Sequence, residues 1–229
     1  MEFYKSMKYS SILKSVIVPA FVGIAILATN VSAIEADGFK PLFNGKNLKG
    51  WSGEEELWSV EDGVILGKTG PRKIRHNTFL STKKSYSDFV LRVTVKLGNH
   101  NSGIQFRSEQ RPNFVVAGYQ ADIADNQYYG MLYEEQKRGI MDYWKNMPEE
   151  EKAGIAAAVK RDDWNQYEVI CMGDHIKMIL NGHTVLDMED PAGAKEGIIA
   201  LQLHAGPSME VRFKDLEIRT SKLEEYTKK

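Results

Sequence analysis

Cysteine is almost missing from this chain: its 229 residues include one, Cys171. A disulfide framework is therefore excluded. Cys171 sits in the apolar run Tyr167-Glu-Val-Ile-Cys-Met172, where a free thiol acts as a small buried hydrophobe rather than a nucleophile. A surplus of one charge is missing too, with Lys and Arg numbering 30, Asp and Glu 31, and the net charge −1. That leaves no basic footprint for nucleic acid and no polybasic patch for an anionic membrane surface. There is no internal repeat, no linker-like stretch and no H-x-x-x-H or similarly dense metal-ligand spacing.

Long apolar runs are confined to the first segment. Lys5, Lys8 and Lys14 precede Val16–Leu27, and Val31-Ser-Ala33 follows as a small-x-small site. This is the order of a secretory signal peptide. The run contains Pro19 and falls short of the roughly 20 apolar residues that span a bilayer. No cysteine follows the small residues, which argues against a lipoprotein anchor. The expectation is a signal peptide over 1–33, a single domain over 34–220 and a charged, frayed tail over 221–229. The product would be exported, to a periplasm or outside the cell, with no stable membrane insertion after cleavage. Removing the signal, which carries a net +2, leaves a mature charge near −3.

What is there is mostly period-2 alternation, the signature of half-buried strands. Phe89, Leu91, Val93, Val95 and Leu97 alternate with Arg92, Thr94 and Lys96. Further strands are predicted over 103–107, 118–123, 167–172, 176–180, 184–187, 197–204 and 209–219. Asp62-Gly63 and Asn181-Gly182 mark tight hairpins. Ten or more strands with short connections predict an all-β, antiparallel sandwich or barrel. One helix is predicted over 148–160, with Pro148 at its start, Glu149–Glu151 in its first turn and Lys160 at its end. Lying between strands, it reads as a rim insertion.

The informative positions are those facing away from the core. Alternation sends Gln105 and Arg107 outward on one strand, Gln120 and Asp122 on a second, and Gln202 and His204 on a third. A solvated face ordinarily carries Lys, Glu and Thr; these groups are short or planar and suit fixed hydrogen bonds. The segment Tyr128-Tyr-Gly-Met-Leu-Tyr-Glu-Glu135 adds aromatics and carboxylates, and Asn99–Ser102 and Arg75–Phe79 add loop polar groups. Planar polar groups, carboxylates and aromatic rings suit a sugar, with its hydroxyls and flat C–H faces. The bland alternative is a solvated face or a satisfied sheet network.

An ordered series of motifs resembles one family. It begins with Phe39-Lys-Pro-Leu-Phe-Asn-Gly-Lys-Asn-Leu-Lys-Gly-Trp51 and Trp58-Ser-Val-Glu-Asp-Gly-Val-Ile-Leu-Gly67. Asn77–Lys84, Tyr86–Arg92, Asn101–Arg107 and Gly118–Ile123 continue it. Asp163-Trp-Asn165, Leu180-Asn-Gly182, Gly197–His204 and Val211–Ile218 complete it. The series, covering nearly all of residues 39–219, resembles the 3-keto-disaccharide hydrolase family. The resemblance implies a concanavalin A-like jelly-roll sandwich and a 3-keto-glycoside substrate. It also implies cleavage by elimination across C1–C2 followed by hydration of the resulting glycal. Many relatives have a Tyr-Glu-x-Gln pattern where this chain has Gln120 and Asp122, which moves the carboxylate by two positions.

A ketone at C3 acidifies the C2 proton, so this chemistry needs a base near C2, donors for the enolate oxygen and an acid for the leaving oxygen. The catalytic candidates are Asp122, Glu134 and His204. The substrate-binding candidates are Arg107, Gln105, Gln120, Gln202, Asn101, Tyr133 and Glu135. No cofactor is certain; a divalent metal is possible through Asp122, Asp125, Glu134 and His204. Two other readings stay open. One is a carbohydrate-binding module without chemistry. The other is a two-carboxylate glycosidase in which Asp122 and Glu134 form the pair.

Overall fold

The computed structural model describes residues 38–71 and 73–226. The signal segment 1–33 and the tip of the tail, 227–229, lie outside them.

Two antiparallel sheets stack face to face, the arrangement expected of a jelly-roll sandwich. The first contains β1 (Lys40–Pro41), β3 (Trp58–Glu61), β4 (Val64–Lys68), β6 (Phe89–Leu97), β11 (Asn165–Met172), β12 (His175–Leu180), β13 (His183–Glu189) and β15 (Glu210–Arg219). Its order is β13-β12-β11-β6-β15-β4-β3, with β1 added on β15. The second contains β2 (Trp51–Ser52), β5 (Thr78–Tyr86), β7 (Asn101–Gln110), β8 (Val116–Ala124), β9 (Leu132–Glu135), β10 (Gly139–Ile140) and β14 (Gly197–Leu203), in the order β10-β9-β8-β7-β14-β5-β2.

Alternation places the core. Phe89, Leu91, Val93 and Val95 of β6 are buried, and so are Ile104, Phe106, Tyr119, Ala121, Ile123, Ile199, Leu201 and Leu203 of the second sheet. All belong to one cluster, which also holds Cys171. Burial pushes that thiol up to about 12, as for an inert core residue. Asn181 (φ 51°) and Gly182 (φ 83°) form the tight turn between β12 and β13, where left-handed backbone matches the twist of the strands.

The helical insertion is larger than expected at its start and shorter at its end. A helix α1 (Asp142–Asn146) precedes α2 (Glu149–Ala158). α2 begins after Pro148 with three acids in its first turn, as predicted, but stops before Lys160, so no cation sits in its last turn. The tail also departs from expectation. Residues 224–226 form a short 3-10 turn, and Arg219 donates to the carbonyls of Ser221 and Lys222 and pairs with Glu225. A buried cation with carbonyls to satisfy ties down a segment that composition alone marks as loose.

The outward faces of the two sheets differ. The first carries ordinary surface ion pairs, such as Arg92 with Glu168 at 2.8 Å and Lys177 with Asp187 at 2.9 Å. On the second, Phe79, Val116, Ile198 and Ala200 are buried in a small apolar cluster of their own. A 3-10 turn, Pro112–Phe114, packs on β5. Polar side chains adjoin the cluster, Gln202 opposite Phe79 and Gln105 opposite Ala200, and they hold the candidate site.

Candidate active site

Antiparallel register decides which side chains share that outward face. Gln120 stands opposite Gln105 on β7 and Tyr133 on β9, Asp122 opposite Gly103, and Glu135 opposite Gly118. β9, β8 and β7 are hydrogen-bonded neighbours, and amides of β7 and β8 form a chain of hydrogen bonds. Ser108 Oγ donates to Gln105 Oε1 at 2.7 Å, and Gln105 Nε2 donates to Gln120 Oε1 at 2.9 Å. Gln120 Nε2 then donates to Asp122 Oδ1 at 2.8 Å, and Asn101 Nδ2 to Asp122 Oδ2 at 3.4 Å. Gly103 makes this possible: a Cβ there would lie 2.3 Å from Gln120 Cδ.

A second carboxylate joins from β9. Gln202 Nε2 donates to Glu135 Oε2 at 3.2 Å, and Asn77 Nδ2 lies 3.4 Å from both Glu135 oxygens. β8 and β7 stand between β9 and β14, a lateral separation of about 14 Å in a flat sheet. The side chains meet because the sheet curls, making this face concave. Gln202 Oε1 is buried with no hydrogen-bond partner among the described residues, which leaves an acceptor unused inside the cluster.

Burial sets the electrostatics. Asp122, 5% exposed, has its carboxyl pushed up from an ordinary 3.8 to about 7. The main cause is desolvation; Gln120 and Asn101 oppose it, and the nearby Glu135 charge adds to it. Desolvation also raises Glu135, against the pull of Gln136, Asn77 and Gln202. Tyr133 is raised by burial and by the Glu135 and Asp122 charges. The Asp122 backbone is anchored from the core side, where Tyr167 Oη donates to its carbonyl at 2.7 Å.

The structure thus brings together Asp122, Glu135, Gln105, Gln120, Gln202, Asn101 and Tyr133. His204 lies just past β14, half-buried and edge-on to His100 at 4.9 Å, with Nδ1 2.6 Å from the Ala205 carbonyl. Burial and His100 lower its pKa.

Two candidates fall elsewhere. Arg107 does not point outward. Register shifts between Phe106 and Glu109, and Arg107 adopts φ 46°; such a bulge re-aims a side chain. Its guanidinium is buried and donates to Ser87 O, Gly173 O and Asp88 Oδ1, at 2.7, 2.7 and 3.0 Å. It clasps two turns and does not face the polar cluster. Glu134 is likewise misplaced by the sequence reading. With Tyr133 and Glu135 outward, strict alternation turns Glu134 inward, opposite Tyr119. There it pairs with Arg138, which also grips Asp190 at 2.6 Å. An Asp122–Glu134 glycosidase pair is therefore not formed. Nor does a metal set assemble from these groups. Among the described residues no three His, Cys, Asp or Glu side chains gather to hold an ion, and Asp125 accepts from the His100 N–H at 3.0 Å.

Two site residues were not singled out from the sequence. Asn77, whose Oδ1 also accepts from Ala205 N–H at 2.9 Å, sits in a loop segment noted only for its polarity. Ser108 lies beyond the bulge, where alternation can no longer be counted.

The profile of the family described as 3-keto-alpha-glucoside-1,2-lyase-like domain matches residues 38–219. The chain belongs to that family. The match spans every strand of both sheets and all the clustered residues. Among solved structures, two candidate glycosyl hydrolases from Parabacteroides distasonis ATCC 8503 share the fold. One has a TM-score of 0.60 at 21% identity over 82% of this chain and 96% of its own. The other has a TM-score of 0.56 at 24% identity over 80% and 98%. The carbohydrate-binding module CBM66 of Bacillus subtilis has a TM-score of 0.56 at 16% identity over 79% of this chain and 99% of its own. No curated protein sequence matches the chain. Among the described residues no helix is long and apolar enough to cross a membrane.

Proposed function

We propose that this chain is an exported carbohydrate-active enzyme that cleaves 3-keto-glycosides by elimination and hydration. One observation carries the reading. The concave face holds a buried carboxyl, Asp122, poised to titrate at about 7, and a base works best when its pKa lies near the working pH. Family membership supports the substrate class. The segment 1–33 supports export.

Asp122 takes the proton from C2. The C2–H electrons form the C2–C3 double bond, and the carbonyl oxygen at C3 becomes an enolate. Gln105, Gln120 and Gln202 each use one amide hydrogen within the network, which leaves each a second to present to that oxygen. When the C3 carbonyl re-forms, a C1–C2 double bond forms and the C1–O bond breaks. Glu135, which burial raises, gives a proton to the leaving oxygen. Water then adds: its hydroxide bonds to C1, Asp122 returns to C2 the proton it took, and the remaining water proton restores Glu135. Arg107 has no part in this scheme.

A sugar-binding module would need the amides and Tyr133 but not two carboxyls that burial shifts upward. The test is to incubate the purified protein with a methyl 3-keto-glucoside, 3-keto-trehalose and the unoxidised sugars. Release from the keto substrates alone is the expected result. Binding of unoxidised sugars without release from any substrate would make the chain a module, and release from unoxidised sugars a glycosidase.

A further inference from the structure

The polar cluster does not end at Tyr133. Tyr133 stands opposite Ile140 of β10, and residues paired across antiparallel strands share a face, so Ile140 continues the concave surface one strand further. Beyond it opens a cleft of about 610 Å³, walled by Ile140, Tyr128, Trp144, Gln127, Glu149 and Lys152. Its size is within the roughly 300–1,000 Å³ of small-molecule sites. Two strand spacings, about 10 Å, separate the Gln120 backbone from Ile140, which is the reach of one to two sugar rings along a chain. The two lysines at its edge are already answered, Lys145 by Asp142 at 2.9 Å and Lys152 by Glu149 at 2.8 Å. The walls therefore combine apolar rings with charge-balanced polar groups, which favours a neutral polyhydroxylated ligand over an anion.

We infer that this cleft, built by β10, α1 and α2, is a further subsite for a glycosyl unit, so that the preferred substrate is an oligosaccharide. The inference rests on the reading of the concave face as a sugar site. The helical insertion would then be the specificity element of the fold, since it supplies Trp144, Glu149 and Lys152.

Calorimetric titration with unoxidised ligands tests the cleft apart from the chemistry, using maltose to maltotetraose and cellobiose to cellotetraose. In one of the two series the wild-type chain should bind the tetrasaccharide about tenfold tighter than the disaccharide. Tyr128→Ala should bring that ratio close to one. Because Tyr128 is partly packed on the core, a second variant is needed. Ala153, on the exposed side of the cleft wall, can be changed to Trp to fill the space without removing packing, and it should abolish the ratio as well. Flat affinity across both series, or a ratio that survives Ala153→Trp, overturns the inference. A length-dependent ratio alongside no turnover of keto substrates would leave the subsite standing and reject the proposed chemistry instead.

Discussion

Asp122 pays for its poise in stability. Its carboxyl titrates at about 7 in the fold against an ordinary 3.8, so folding favours the protonated form. The associated stability is full below about pH 4, declines as pH rises, and is lost above pH 7. The ceiling on that loss is roughly 4 kcal/mol. Asp122→Asn removes the ionisation, so its stability relative to wild type should grow between pH 4 and pH 8; a constant difference in denaturant midpoint would contradict the burial argument. The same substitution should lower kcat/KM on a methyl 3-keto-glucoside by about 10²–10⁴-fold. Glu135 contributes to the upward push on Asp122. In Glu135→Gln the acid limb of kcat/KM should therefore move to lower pH, as a pH–rate profile of the residual activity would show. An acid limb that stays in place would separate the two carboxyls.

At the scale of elements, the edge hairpin β9–β10 depends on Arg138. That side chain bonds Glu134 and, at 2.6 and 3.1 Å, both oxygens of Asp190. The two carboxylates are buried, at 3% and 6% exposed, but Arg138 itself is 42% exposed and Asp190 keeps the Tyr119 hydroxyl. Arg138→Met should therefore cost about 1–3 kcal/mol in urea unfolding. Because Glu135 is the next residue along the strand, turnover should fall as well, even where the variant is fully folded. On the neighbouring pair of strands, Gly103→Ala would drive Gln120 from its place and break the amide chain to Asp122. It should cost about 1–3 kcal/mol, with a loss of activity larger than the unfolded fraction explains. Activity that follows folded protein alone would mean that Gln120 is not positioning the base.

Across the whole molecule, what could be read in advance followed from periodicity. β6, β8 and β14 alternate without interruption, so the inward side of each was legible, and with it the outward trio Gln120, Asp122 and Gln202. Arg107 was not legible, because one bulge after Phe106 reverses the count and only the partner strand reveals it. Glu134 was a different case. Its two neighbours were assigned to the site with it, although period 2 cannot place three consecutive residues on one face. The convergence of Glu135 with Gln202 depends on sheet curvature, which no local pattern encodes. Arg107→Ala should test the structural role found for that residue. With three partly buried hydrogen bonds gone, stability should drop by roughly 3 kcal/mol, while kcat per folded molecule holds.

The isolation of Cys171 has a practical corollary. It is the chain's only thiol and is fully enclosed by the core, so native molecules present no thiol to an oxidant or an alkylating reagent. Only molecules that open expose it, and with no second thiol in the chain an oxidised crosslink must join two copies. A covalent dimer on a non-reducing gel, or the uptake of a maleimide label, would therefore count the molecules that have passed through an open state. The protein carries its own reporter of unfolding, usable in any oxidising compartment without adding a probe.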